Sequence, residues 1–345
     1  MTERCGIICA GNWIVDIVHT IDQWPREGDL VRISQQKTSI GGGAANVISA
    51  LVRLDTGLPL WPIGAFGDDD YGRYIARACR DLGLPVHLFR LKEGVPTAHT
   101  HVMSVSGQSR TLFYQGGAND VLSQDAFAPE DLASTNARIF YLGYLTLLAA
   151  LDRVESSGSS AAATVLSRAR DSGMVTCVDL VSVDRPDFAR CLAPALPYID
   201  YLILNEVELA RASGNPMLSQ TIEPSDEELL RMAMQLIDAG VRQAVIVHCP
   251  QKALWVGSDG HVHSAPVDPL TREEVASPLG AGDAFCSGIV YALHQGWTPS
   301  KAIELGHAVA RESLRSVTAT EAIPRLEDLV GSSVLQPGIV QNDAH

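Results

Sequence analysis

Positive charge is scarce in this chain: its 345 residues include 26 lysines and arginines against 40 aspartates and glutamates, for a formal net charge of −14. That balance excludes an extended nucleic-acid or anionic-membrane surface, which needs clustered cations. Lysine is the scarcest cation. Lys37, Lys92, Lys252 and Lys301 are the four present and none follows a glycine, so no Walker A loop can be built. Seven cysteines run from Cys5 to Cys286 without a Cys-x-x-Cys pair, which argues against zinc and for small buried thiols in a reducing compartment. Long apolar runs are also missing. The longest, Ile139 to Leu151, is too short to cross a bilayer, and Met1-Thr2-Glu3-Arg4-Cys5 opens no signal segment. The expectation is a cytoplasmic protein with neither nucleic-acid nor membrane partners. Apolar residues themselves are plentiful, 46% of the chain, enough for the core of one large domain or two small ones.

Apolar strand-like runs alternate with helical patterns, which predicts a mostly parallel sheet covered by helices. The spacing predicts a helix from Ser160 to Ser172, ended by Gly173, then a strand from Val175 to Val181 that closes on Asp179. Tyr201 to Leu204 reads as the next strand. Ser225 to Glu228 has capping-box spacing ahead of a helix through Ala239, Gly240 can end that helix, and Ala244 to His248 follows as a strand. Thr298-Pro299 opens a last helix as N-cap and first position. Residues 16–40 and 97–115 instead alternate like short solvent-facing strands. They form either a small sheet closing over a site as a lid, or an antiparallel edge extension.

Gly280-Ala281-Gly282-Asp283 leads directly into an apolar helical run from Ala284 to His294. Two residues without Cβ atoms let backbone N–H groups converge, and the helix adds its positive end, so the segment suits an anion. An aspartate at that pocket's mouth is a poor anion ligand, but it can take a proton from a hydroxyl attacking a bound phosphoryl group. The plainer alternative is a tight loop with Asp283 as a helix cap.

A second cluster, Gly41-Gly42-Gly43-Ala44-Ala45-Asn46, precedes a helical stretch from Val47 to Leu54. Its spacing approaches a dinucleotide-binding fingerprint, but Asn46 replaces the last glycine and no strong apolar strand stands before it, which counts against NAD.

Both clusters, in this order, together with Gly64 to Gly72, Arg110 with Gly117-Ala118-Asn119, and Asn205-Glu206-Val207-Glu208, give the chain a resemblance to the ribokinase (PfkB) family of carbohydrate and nucleoside kinases over nearly its whole length. The resemblance implies a ribokinase-like three-layer α/β sandwich with a small β lid, a single domain over residues 1–330 and a C-terminal tail at 331–345. It implies ATP-dependent, Mg²⁺-requiring phosphorylation of a hydroxyl on a sugar or sugar-containing small molecule. Asp283 would be the general base, and the amides of Gly280, Ala281, Gly282 and Asp283 the anion hole. Asp16, Gly42, Gly43 and Asn46 would hold the acceptor hydroxyls. Asn205 and Glu208 would organise the Mg²⁺–ATP phosphates, with Glu208 reaching the metal through water; without the family, Asn-x-x-Glu reads equally well as a capping box.

The chain departs from the family at two places. Ser277-Pro278-Leu279 stands where relatives usually write Asp-Thr-Thr, which removes a carboxylate and two hydroxyls of a monovalent-cation site, so potassium activation does not follow. The stretch Val247 to Ala253 lacks the glycines of the family's nucleotide loop; Lys252 near the phosphates and His307 beside the base are set there against an exposed lysine and ordinary packing. Trp13, Phe113 and Tyr114 offer stacking surfaces that keep a nucleoside acceptor open. A non-catalytic sugar or nucleoside sensor on the same fold is the alternative, and a homodimer through the lid is a further expectation.

Overall fold

The computed structural model describes residues 4–105, 110–215 and 224–330; the expected tail at 331–345 and part of the second lid segment lie outside them. The strands are β1 (Ile7–Gly11), β2 (Ile14–Ile21), β3 (Ile33–Gly41), β4 (Leu60–Ile63), β5 (Ala65–Gly67), β6 (Arg90–Lys92) and β7 (His99–Val105), followed by β8 (Thr111–Gln115), β9 (Ile139–Leu145), β10 (Val175–Leu180), β11 (Tyr201–Asn205), β12 (Ala244–His248), β13 (Lys252–Gly257) and β14 (Val262–Pro266). Eight of them form one sheet in the order β14-β13-β12-β11-β10-β9-β1-β4. It is parallel from β12 to β4, and β13 and β14 turn antiparallel at one edge.

The central strands read as unbroken apolar runs because both faces are covered. Phe140 and Leu142 of β9 join the core on one face with Leu166 and Leu236, while Ile139 and Tyr141 join the other with Ile48, Phe285 and Ile289. This is the expected three-layer α/β sandwich. The helix starts follow local chemistry. Ser160 accepts from the Ala163 N–H ahead of Ala161–Asp171, and Ser225 with Glu228 forms a capping box ahead of Asp226–Asp238. Thr298 occupies the N-cap of Pro299–Ser313 without a side-chain bond, leaving Pro299 as the start signal.

The alternating segments form a separate sheet in the order β3-β2-β7-β8. The chain passes from β1 into β2 through Asn12 and Trp13 alone, so this sheet begins where the main sheet's parallel strands end. That is where an open α/β sheet places its ligands.

Candidate active site

The helix Ala281–His294 starts at Gly280, whose φ of 76° is left-handed. A Cβ there would lie 2.3 Å from Ala319 Cβ, so glycine alone meets both demands. Among the described residues no side chain caps this helix. Ala281 N–H donates to Pro278 O at 3.4 Å, which leaves the N–H groups of Gly282 and Asp283 as the donors of the first turn without a partner among the described residues. The helix-cap alternative for Asp283 is thereby corrected: Gly280 is the N-cap and Asp283 lies inside the first turn.

The Asp283 side chain is 4% exposed. Its Oδ2 accepts from Asn46 Nδ2 at 2.8 Å and from Tyr144 Oη at 2.9 Å. Burial raises its pKa to about 7; the two hydrogen bonds oppose that rise, and the charges of Asp16 and Glu208 add to it.

The second glycine cluster reaches the same place. Gly43 begins the helix Gly43–Arg53, which carries the buried Asn46. A Cβ on Gly43 would lie 2.7 Å from Tyr144 Cδ1, and one on Gly41 would lie 1.9 Å from Asp16 Oδ2. The glycines therefore admit two side chains against the helix start. Asp16 pairs across the small sheet with Ser39 and Thr100, and Thr100 with Tyr114, so one row carries all four. Burial raises Asp16 to about 7, against a hydrogen bond from Thr100 and the charge of Arg110. Tyr114 Oη accepts from Asn12 Nδ2 at 3.1 Å and from Asn119 Nδ2 at 3.4 Å. Asn46 and Tyr144 thus bond Asp283 while Asp16, with Thr100 and Arg110 beside it, adds its charge there, a set of carboxyl, amide and hydroxyl groups suited to vicinal hydroxyls.

Two of the aromatic expectations change. Trp13 is fully buried and donates its indole N–H to Ile63 O, so it is a core residue with no face to offer a ligand. Phe113 is 53% exposed and sits in the row opposite Tyr114, paired with His101.

On the other side of the Gly280 turn lies a cleft of about 480 Å³ whose walls include Asn205, His248, Pro278, Gly282, Phe285 and His307. His307 Nε2 and Arg311 Nε, both on this cleft, are buried without partners among the described residues. Burial and the neighbouring His307 lower His248 to about 4, so its ring is neutral at physiological pH. Lys252 is absent from the cleft; it begins β13 and pairs with Asp226. Asn205 and Glu208 form the full capping box. Glu208 Oε2 accepts from Asn205 N at 2.9 Å, and its Oε1 accepts from Asn205 Nδ2 at 2.9 Å and Ser182 Oγ at 2.8 Å. Asn205 therefore fronts the cleft and the buried Glu208 stands behind it.

Sequence reasoning missed Tyr144 and gave Asp179 no role. Tyr144 follows Gly143 at the end of β9 in a left-handed conformation, φ 60°, that no motif announces. Asp179, 4% exposed at the end of β10, accepts from Tyr141 Oη at 3.0 Å. Burial pushes its pKa well up, with Asp283 and Glu208 adding to the rise.

A sequence model of the family described as pfkB family carbohydrate kinase matches residues 6–326. The chain is 26% identical over 326 residues to ribokinase of Arabidopsis thaliana, covering 93% of this chain and 78% of that one. It is 28% identical over 278 residues to adenosine kinase of Schizophyllum commune, covering 77% and 76%. A 5-dehydro-2-deoxygluconokinase of Geobacillus thermodenitrificans is 25% identical over 295 residues, covering 84% and 82%. The fold matches the solved structure of Arabidopsis thaliana ribokinase complexed with ribose and ATP with a TM-score of 0.78 at 23% identity, over 96% of this chain and 99% of that one.

Proposed function

Because this chain belongs to the pfkB family of carbohydrate kinases, and is therefore a phosphotransferase with a hydroxyl acceptor, we propose that it transfers the γ-phosphoryl group of ATP to a hydroxyl of a sugar or sugar-containing small molecule. The observation that carries this reading is the placement of Asp283. It lies in the first turn of the helix that starts at Gly280 and is bonded to the Asn46 and Tyr144 side chains of the polar pocket. Asp283, poised near neutrality, takes the acceptor's proton as the oxygen attacks. The N–H groups of Gly282 and Asp283 face the charge that grows on the phosphoryl oxygens. Asp16, Asn46 and the backbone of Gly42 and Gly43 orient the acceptor. The cleft beside His248, Phe285 and His307 takes the nucleotide, and its unpartnered ring and guanidinium nitrogens suit a ligand rich in acceptors.

The donor set fits a hydrated Mg²⁺. Both Glu208 oxygens already accept hydrogen bonds, and among the described residues no three His, Cys, Asp or Glu side chains form a metal cage. A strongly hydrated ion would be held by Glu208 through its water shell, with Asn205 alongside. When bound, such an ion neutralises phosphate charge. The small sheet, which brings Asp16 to this site, would serve as a lid that keeps water from Asp283. Its exposed Ile33, Leu112 and Phe113 also suit pairing with a second copy, which sedimentation would read. The sensor alternative is not favoured, since the ribokinase, adenosine kinase and 5-dehydro-2-deoxygluconokinase relatives are named as kinases. An ADP-release screen over ribose, fructose, a 2-deoxygluconate and adenosine tests the proposal: turnover of at least one such acceptor supports it, and ligand-induced stabilisation without ADP across the panel contradicts it.

A further inference from the structure

We propose that Arg185 is a positioning residue for Asp283, acting through the backbone of Thr146 and the hydroxyl of Tyr144. The inference rests on the proton-acceptor reading of Asp283 and adds a residue that no motif points to.

The end of β9 and the turn after it hold two non-glycine residues in left-handed conformations, Tyr144 at φ 60° and Thr146 at φ 85°. Each such conformation is strained and persists only where its surroundings over-determine it. Packing alone does not hold this one. A cavity of about 720 Å³ lies beside it, lined by Thr146, Asp152, Arg185, Asp187 and Cys191, and Thr146 Oγ1 is buried without a partner among the described residues.

Polar ties do the holding. Thr146 N–H donates to Asp152 Oδ1 at 2.9 Å, and Leu148 N–H donates to Asp152 Oδ2 at 3.0 Å. Arg185 Nη1 donates to Thr146 O at 2.9 Å and to Asp152 Oδ2 at 3.0 Å. Both backbone polar groups of Thr146 are thus fixed from one side. Arg185 is itself anchored by Asp187, with Nε to Oδ1 at 2.8 Å and Nη2 to Oδ2 at 3.1 Å, and by Cys191 Sγ at 2.9 Å from Nη2. At the other end of the turn the Tyr144 ring lies against Gly43 and its hydroxyl donates to Asp283 Oδ2. A guanidinium in the loop after β10 therefore sets the tyrosine that orients and partly neutralises the carboxylate on another helix.

The groups facing Asp283 are Asp16, Asn46, Tyr144, Asp179 and Glu208, with Tyr141 and Cys286 behind them; those facing Arg185 are Asp152, Asp187 and Cys191. Because Tyr144 donates to the ionised form of Asp283, losing that bond raises the carboxyl's midpoint.

The test is a ¹³C NMR titration of full-length protein labelled at aspartate Cγ, with the Asp283 resonance assigned by its loss in Asp283→Asn. Tyr144→Phe is expected to raise the midpoint by about one pH unit, the size of a charged hydrogen bond. Arg185→Met is expected to raise it equally, and the double variant no further. A midpoint unmoved in Arg185→Met, or shifts that add in the double variant, overturns the proposal. Should Arg185→Met not fold, Arg185→Lys, which cannot bridge Thr146 and Asp187 together, is read by the same criteria. The titration needs no acceptor, so it can fail while Asp283 remains the proton acceptor. Conversely, full turnover by Asp283→Asn would remove that role and leave the titration standing.

Discussion

Asn46 Nδ2 donates to Asp283 Oδ2 at 2.8 Å across 237 positions of sequence, joining the start of one glycine-led helix to the start of another. The pocket that suits hydroxyl groups and the helix end that suits phosphate meet at this bond. The carboxylate between them is bonded on one side and adjoins unspent amide donors on the other.

Asp283 ionises near pH 7 in the free protein because burial outweighs its two hydrogen bonds. The base must be ionised to accept a proton, so kcat/KM is expected to fall about tenfold per pH unit well below that midpoint. In Asn46→Ala the loss of one donor moves this acid limb to higher pH. A profile flat from pH 5 to 8 contradicts the assignment.

Stability should run the opposite way. Both Asp16 and Asp283 have folded-state values near 7, above the ordinary 3.8. The fold therefore favours their protonated forms, and that contribution is complete below about pH 4 and lost as pH rises through 7. Each charged carboxyl costs the fold up to about 4 kcal/mol at pH 8. Asp283→Asn should denature later than the parent protein at pH 8, by at least about 1 kcal/mol, with the difference shrinking at pH 5. Urea denaturation at the two pH values measures it, and a difference independent of pH refutes it.

Gly43→Ala separates propensity from function. Alanine at a helix position ordinarily gains up to about 1 kcal/mol over glycine, but here its Cβ would stand 2.7 Å from the Tyr144 ring. We expect turnover to drop at least about tenfold as Tyr144 leaves Asp283, with a smaller change in melting temperature. Unchanged steady-state kinetics would show that the close approach is unimportant.

Glu208→Gln divides the two readings of Asn205 and Glu208. Glutamine still closes a capping box through its one carbonyl oxygen but turns its NH2 toward another donor, so stability should fall only modestly, by about 1 kcal/mol. The missing charge should raise the Mg²⁺ concentration for half-maximal activity by about tenfold or more. A loss of stability with unchanged Mg²⁺ dependence would leave Glu208 a cap and nothing else.

The helices with clear start signals were legible because their information is local: Ser225 and Glu228 are three residues apart and answer each other's backbone. Gly280 and Gly41 to Gly43 were legible as places where backbone must come close to something, although what came close, Ala319, Asp16 and Tyr144, was not. Tyr144 could not be found from sequence. It ends an apolar strand and enters the site only because β9 lies beside β1 and its own backbone turns left-handed. Trp13 misled for the opposite reason, since a large ring near Asp16 in sequence points into the core from the strand junction. Asn205 and Glu208 satisfied a capping pattern and a family pattern at once, and the folded chain contains the cap whichever role is added to it.

The most direct measurement is turnover and nucleotide binding by Asp283→Asn, with the acceptor that the ADP-release screen selects. A kcat lower by about 10² to 10⁴-fold, the share of a positioned base, is expected, with ATP affinity retained. Turnover close to that of the parent protein would contradict that role for Asp283.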